Sequence, residues 1–202
     1  MSRRNASTRS LYSLTYLPWD RLSPAERNRE IVLYAERHRG GAVTLNLKPE
    51  TEALLHGQQH PMRVVSKRMN AELNRLDLRQ LPVMMVLEAT RPEGRLHLHG
   101  VCLTTGYSSL LIQKAMRRAV GCVEGRRGSR QFKAQPIYAA DGWMKYLSKD
   151  CRWTARLLGE LPVERLWWVS HAMTQIVRDD YEAQRLGLVE TSNTNCPMLI
   201  AS

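Results

Sequence analysis

The segment Leu96-His97-Leu98-His99-Gly100 constrains this chain more than any other. In a β-strand successive side chains leave opposite faces. His97 and His99 therefore stand side by side on one face, while Leu96, Leu98 and Val101 are expected to meet different neighbours. Two imidazoles fixed on stiff backbone can share one divalent ion, and histidine is the commonest protein metal ligand. A chain with six histidines can show a His-x-His pair by accident, so the surroundings must carry the weight.

Residues 81–90, from Leu81 through Val83-Met84-Met85-Val86-Leu87 to Glu88-Ala89-Thr90, form an apolar run of strand length and β-rich composition. Arg91-Pro92-Glu93-Gly94-Arg95 follows as a Pro/Gly turn of hairpin length. The histidine run, residues 95–104, completes an antiparallel hairpin. Glu88 lies near the end of the first strand and the histidines early in the second, within cross-strand reach. Glu88 can thus join His97 and His99 as a third ligand. Two imidazoles and a carboxylate leave coordination positions open, which a substrate phosphate could fill. The competing reading makes Glu88 a solvated strand end and the histidines ordinary hydrogen-bonding residues.

Residues 141–150, Asp141-Gly142-Trp143-Met144-Lys145-Tyr146-Leu147-Ser148-Lys149-Asp150, fit a short amphipathic helix. Tyr146 and Lys149, three apart, share a face. A phenol is a poor nucleophile while protonated, with an ordinary pKa of about 10, and a neighbouring ammonium favours the phenolate. The same ammonium can stabilise charge building on a reacting phosphate. Taken alone, a Tyr-x-x-Lys pair is ordinary on helix surfaces.

The combination is more specific. A Thr-containing hydrophobic strand (residues 42–47) comes first, the His-Leu-His strand with its upstream acid second, and a helical Tyr-x-x-Lys third. This order resembles the HUH endonucleases, in particular the single-tyrosine Rep-type initiators of rolling-circle replication, over residues 41–150. His97, Leu98 and His99 match the family's His-hydrophobic-His motif, and Tyr146 and Lys149 its nucleophile motif. Val43 to Leu47 match its first motif more loosely, and Glu88 stands where many members have an acidic metal ligand. The tyrosine follows the histidines, as in Rep proteins; relaxases place it before them. Positions 142 and 150 are Gly and Asp, so the two-tyrosine pattern is absent. The resemblance implies a small antiparallel sheet of RNA-recognition-motif type, a central histidine strand and a tyrosine helix over the metal-bearing face. It also implies Mg²⁺ or Mn²⁺, which ligand chemistry alone would not select, since imidazoles suit later transition metals at least as well.

A net charge of +11 suggests a polyanionic partner. One basic group is Arg63, Lys67, Arg68, Arg75 and Arg79; the other includes Lys114, Arg117, Arg118, Arg126, Arg127, Arg130 and Lys133. Of the second group, Arg117, Arg118, Arg126, Arg127, Arg130 and Lys133 are the candidate DNA-binding residues. Tyr107 and Phe132 could stack on unpaired bases. No apolar stretch is long enough to span a membrane and no signal-type block follows the basic start, so a cytoplasmic protein is expected. The four cysteines, at 102, 122, 151 and 196, have no Cys-x-x-Cys spacing and read as reduced thiols.

Along the chain, Ser23-Pro24-Ala25-Glu26 predicts a capped helix running to about His38 and ended by Gly40-Gly41. Helical periodicity covers Met62 to Leu78, and Ser108 or Ser109 opens a helix ending near Gly121. Residues 124–129 read as a basic loop, and 131–138 as an edge strand containing Pro136. Residues 151–168 read as helix or loop, and Ser170 caps a helix to about Gly187. The layout is α+β, an antiparallel sheet flanked by helices. Its divisions are an N-terminal segment and helix (1–40), the endonuclease core (41–150), a C-terminal helical extension (151–187) and a disordered tail (188–202). His56 and His60 are four apart but separated by Gly57, and Trp167-Trp168 reads as packing. No phosphate-loop motif is present, so no fused helicase is expected.

The expected activity is sequence-specific nicking and joining of single-stranded DNA at a replication origin, through a 5′-phosphotyrosine, with host helicase and polymerase as partners. The alternatives are a related nickase serving transposition or mobilisation, a non-catalytic basic nucleic-acid-binding protein, and a metal-dependent nuclease that uses water.

Overall fold

The computed structural model describes residues 17–128 and 130–187, and every side chain among them except those of Arg126 and Arg127. The tail 188–202, with Cys196, lies outside the described residues. The chain builds a five-stranded antiparallel sheet flanked by helices, an α+β fold. Its elements are α1 (Pro24–Arg37), β1 (Gly41–Asn46), α2 (Pro49–Leu55), α3 (Pro61–Arg75), β2 (Val83–Ala89) and β3 (Leu96–Cys102). Then come α4 (Ser109–Ala119), α5 (Gly125–Gly128), β4 (Phe132–Pro136), α6 (Ala140–Ser148), α7 (Cys151–Leu157), β5 (Trp167–Val169) and α8 (His171–Arg185). No described helix is long and apolar enough to cross a membrane.

The strand order is β4-β1-β3-β2-β5, so the histidine strand β3 is central. The first four strands, β1 to β4, with their crossover helices form a split β-α-β-β-α-β unit. Every residue of β2 is buried, which requires cover on both faces. The crossover helices α3 and α4 pack on each other and cover one face; α1, α6, α7 and α8 form the other layer. Leu45, Leu87 and Leu98 are fully buried in the core. Burying an aliphatic side chain of this size is worth about 1.5–3 kcal/mol.

Local signals act as their chemistry requires. Ser23 and Glu26 form the reciprocal capping box of α1, and the Ser170 hydroxyl accepts from Met173 N at the start of α8. The stop after α1 differs from expectation: Arg39, with φ 54°, takes the left-handed position, not Gly40 or Gly41. Gly40 has another reason to be small, because a Cβ there would stand 3.0 Å from Ala35 and Leu103. The Met62–Leu78 helix stops earlier, at Arg75. Residues 125–128 are a short helix within the expected loop. Trp167 to Val169, expected as helix or loop, add an edge strand to β2. Val101 shares strand parity with the histidines, not with Leu96 and Leu98: it lies two residues beyond His99, opposite Ala42 and Met84.

Gly100 explains the last letter of the histidine motif. A Cβ there would lie 1.9 Å from the Met84 carbonyl oxygen and 2.8 Å from Met85 Sδ. The neighbouring strand leaves no room. Gly100→Ala is expected to cost about 3 kcal/mol or more through forced separation of β2 and β3, read as a lowered urea midpoint.

Two buried polar residues lock the ends of the sheet. Gln131 donates to Asn46 O and Gly121 O and accepts from Val123 N and Arg117 Nε, so its amide is fully used. Glu52 on α2 receives three bonds from Arg95 and one from Leu96 N, fixing the start of β3. A satisfied buried network of this kind specifies one arrangement.

Candidate metal centre and nucleophile

The β2–β3 register places Glu88 directly opposite His97, and Val86 opposite His99. The β1–β3 register places Thr44 opposite His99 and Asn46 opposite His97. Directly opposed residues share a face, so Glu88, His97, His99, Thr44 and Asn46 line one surface. Glu88, His97 and His99 bring their ligand atoms within 4.8 Å of one another, forming a group that could hold a metal ion. Glu88 Oε2 lies 3.5 Å from His99 Nε2 and Oε1 lies 3.9 Å from His97 Nε2. Ligands 2.0–2.2 Å from a common ion stand roughly 3–4 Å apart, so the set needs little movement to close.

The side chains of Glu88, His99 and His97 are only 5%, 4% and 11% exposed. Glu88 Oε2 is buried without a hydrogen-bond partner. A buried carboxylate oxygen that faces an imidazole nitrogen, with no hydrogen-bond partner among the described residues, fits a cation ligand. The donors, two nitrogens and a carboxylate, fit a divalent ion with open positions.

Burial sets the protonation states. It pushes His99 down to about 3, helped by His97 and Lys149 nearby, and it lowers His97 as well. It raises Glu88, against the pull of Lys149. Both imidazoles are thus neutral near pH 7 and ready to ligate. Thr44 Oγ1 lies 3.0 Å from His99 Nδ1, and Tyr146 Oη lies 3.3 Å from His99 Nε2. One tautomer satisfies both contacts: Nδ1–H donates to Thr44, and Nε2 accepts from the phenol. That tautomer leaves the Nε2 lone pair on the metal side, with Thr44 orienting the ring.

A stability consequence follows from His99. The unfolded chain takes up a proton near pH 6.5 that the folded chain refuses until about pH 3. The unfolded state binds more protons in that window, so stability falls as pH falls. In EDTA the loss should reach on the order of 2 kcal/mol by pH 5, with raised Glu88 opposing it in part. Urea midpoints at pH 7 and 5 check this, and His99→Leu should flatten the slope.

Helix α6 lays Tyr146 over this surface. Its first turn is tied to α1: Ala140 N donates to Glu36 Oε1, and Asp141 pairs with Arg29. Trp143 donates Nε1–H to Gly100 O and stacks on Tyr146 with an interplanar angle of 7°. Both rings meet His99 edge-on. Tyr146 itself is 38% exposed, so its hydroxyl stands at the junction of buried ligands and solvent. Lys149 Nζ lies 3.7 Å from the centre of the Tyr146 ring and 3.4 Å from Glu88 Oε1. Burial works against its charge, but Glu88 and Tyr146 outweigh burial and raise its pKa. It is an ammonium held between the Tyr146 ring and the Glu88 carboxylate.

The structure thus gathers all five predicted residues, Glu88, His97, His99, Tyr146 and Lys149, at one place. The basic set is spread wider. Lys133 is exposed on β4, opposite Thr44 and so on the histidine face. Arg130 is exposed beside a cleft that reaches His97. Arg118 is exposed on α4. Arg117 is turned inward, its guanidinium bonded to Gln131 and the Val123 carbonyl. Arg126 and Arg127 lie on α5, and their side chains fall outside the described residues.

Thr44 and Trp143 are site residues that sequence reasoning did not single out. The signal for Trp143 is its place three residues before Tyr146 on one helix face; the Thr-containing first strand pointed to Thr44 loosely, and only the β1–β3 register sets it against His99. Comparison with protein-family models, with curated proteins and with solved structures finds no match to this chain.

Proposed function

We propose that this chain nicks and rejoins single-stranded DNA by tyrosine transesterification, in the manner of a single-tyrosine Rep-type initiator of rolling-circle replication. The observation that carries the reading is the position of the Tyr146 hydroxyl, 3.3 Å from the metal-side nitrogen of His99 and beneath Lys149. A nucleophile, a charge stabiliser and a ligand set converge on one small surface of a strongly basic chain. A non-catalytic binding protein has no need of that convergence.

Glu88, His97 and His99 would hold the divalent ion, Mg²⁺ or Mn²⁺, whose role when bound is to neutralise charge on the scissile phosphate. Tyr146 Oη attacks phosphorus in line and the bond from phosphorus to the 3′ oxygen breaks. The phenolic proton is given up and the departing 3′ oxygen gains one. The product is a 5′-phosphotyrosine with a free 3′-hydroxyl. One phosphodiester replaces another, so a later 3′-hydroxyl can reverse the step and join strands. Lys149 stabilises the phenolate and the charge on the phosphate. Thr44 and Trp143 hold His99 and Tyr146 in place. The DNA would be an origin strand exposed with the help of host helicase and extended by host polymerase.

The test is incubation of the chain with labelled single-stranded oligonucleotides and Mn²⁺, followed by denaturing electrophoresis. A covalent protein–DNA band supports the reading. Cleavage without such a band indicates a water-using nuclease.

A further inference from the structure

A cleft of about 460 Å³ opens beside the ligand set and shares His97 as a wall. That volume lies within the range of small-molecule pockets, roughly 300–1,000 Å³. Its surfaces are unlike those of the metal site. Leu47, Pro49, Leu96 and Val123 supply aliphatic walls. The Glu52–Arg95 pair also borders it, but those charges are spent on each other. Three polar groups remain to face an occupant: Asn46, Arg130 and Thr90, whose hydroxyl accepts from Arg95 N and can still donate. Asn46, opposite His97 on β1, donates its amide to the Arg130 carbonyl, and its side-chain oxygen has no hydrogen-bond donor among the described residues. The Arg130 guanidinium is exposed and has no ion-pair partner among the described residues.

We infer that this cleft takes an unpaired nucleobase immediately flanking the scissile phosphate, an inference that rests on the proposed transesterase. The aliphatic walls of Leu47, Pro49, Leu96 and Val123 suit the apolar faces of a base. The Asn46 amide can hydrogen-bond a base edge, and Arg130 at the rim suits the attached phosphate. A free phosphate would find one uncommitted cation against mostly apolar walls, a poor match. Because His97 belongs both to the cleft wall and to the candidate ligand set, whatever fills the cleft lies next to the reacting phosphorus. The cleft therefore serves to set where the strand is cut.

The experiment uses the full chain and a random-sequence pool of single-stranded 30-mers with Mn²⁺. Covalent adducts are sequenced to locate the nick, and an abasic residue is then walked through the positions on either side. Loss of one flanking base should lower adduct yield roughly tenfold in the wild type. Val123→Trp, which plugs the cleft from its rim, should lower the yield similarly and make the scan flat. A flat scan in the wild type, with adducts in full yield, overturns the cleft and leaves the transesterase standing. If no adduct forms, the transesterase fails, and binding of the same pool in EDTA decides the cleft separately. Weaker binding by Val123→Trp and Asn46→Ala supports a nucleobase site, and binding equal to wild type overturns it.

Discussion

Replacing Tyr146 with phenylalanine is expected to abolish the covalent protein–DNA adduct, a loss of at least about 10³-fold, while DNA binding stays within about twofold of the wild type. The variant loses one oxygen that meets His99 Nε2 and interacts with Lys149, on a side chain already 38% exposed. The stacking on Trp143 and the Lys149 contact above the ring need only the ring. Stability should therefore change by less than about 1 kcal/mol, and lost activity cannot be assigned to lost fold. Lys149→Met should lower the adduct rate by roughly 10²-fold without abolishing it, since it stabilises charge and does not form the bond. The adduct gel measures both variants, with thermal unfolding alongside. An adduct that survives in Tyr146→Phe would remove Tyr146 from the nucleophile's role.

Metal binding should be visible as stability before any DNA is added. A cation that binds only the folded chain at about 100 times its dissociation constant adds about 2.7 kcal/mol, or roughly 5–10 °C in Tm for a chain of this size. Glu88→Gln and His99→Ala should each erase that Mn²⁺-dependent rise. Without metal the two behave differently. Glu88→Gln removes a buried carboxylate whose charge burial disfavours, and whose Oε2 has no hydrogen-bond partner. Its loss costs chiefly the ion pair with Lys149, since its neighbours His97 and His99 are neutral near pH 7, so the metal-free variant should stay within about 1 kcal/mol of the wild type. His99→Ala leaves a void beside two aromatic rings and is destabilised throughout. Retained metal response in Glu88→Gln would show that the carboxylate is not a ligand. Differential scanning fluorimetry with and without EDTA reads all of these.

The hairpin and its three candidate ligands were legible because each signal is local. The run from Val83 to Ala89 has strand composition, Pro92 and Gly94 mark the turn, and alternation puts His97 and His99 on one face. Once that hairpin forms, Glu88 has nowhere to go but opposite His97. The Ser23 and Ser170 caps were readable for the same reason: donor and acceptor lie three residues apart. β5 was not readable. Three residues carry no period, and Trp167 to Val169 are extended only because β2 offers them a partner edge. Nor was the stop after α1, where Arg39 accepts a left-handed backbone that glycine adopts more readily. The Gln131 clamp and the Glu52–Arg95 pair join residues far apart in the chain, and nothing in their immediate surroundings marks them.

The sequence by itself determined the chemical inventory and the local geometry: which side chains can ligate or attack, and which of them share a strand face or a helix face. Tertiary structure decided what brings that inventory to one point. Tyr146 meets His99 across 47 residues, and Thr44 meets the other side of the same ring across 55. Those meetings depend on the register of β1 against β3 and on α6 being anchored by Glu36 and Arg29 of α1. Hydrophobic patterning tells a helix which side to bury but not where along a sheet to rest. That position is set by packing and hydrogen bonds among distant segments, which exist only once the whole chain is folded.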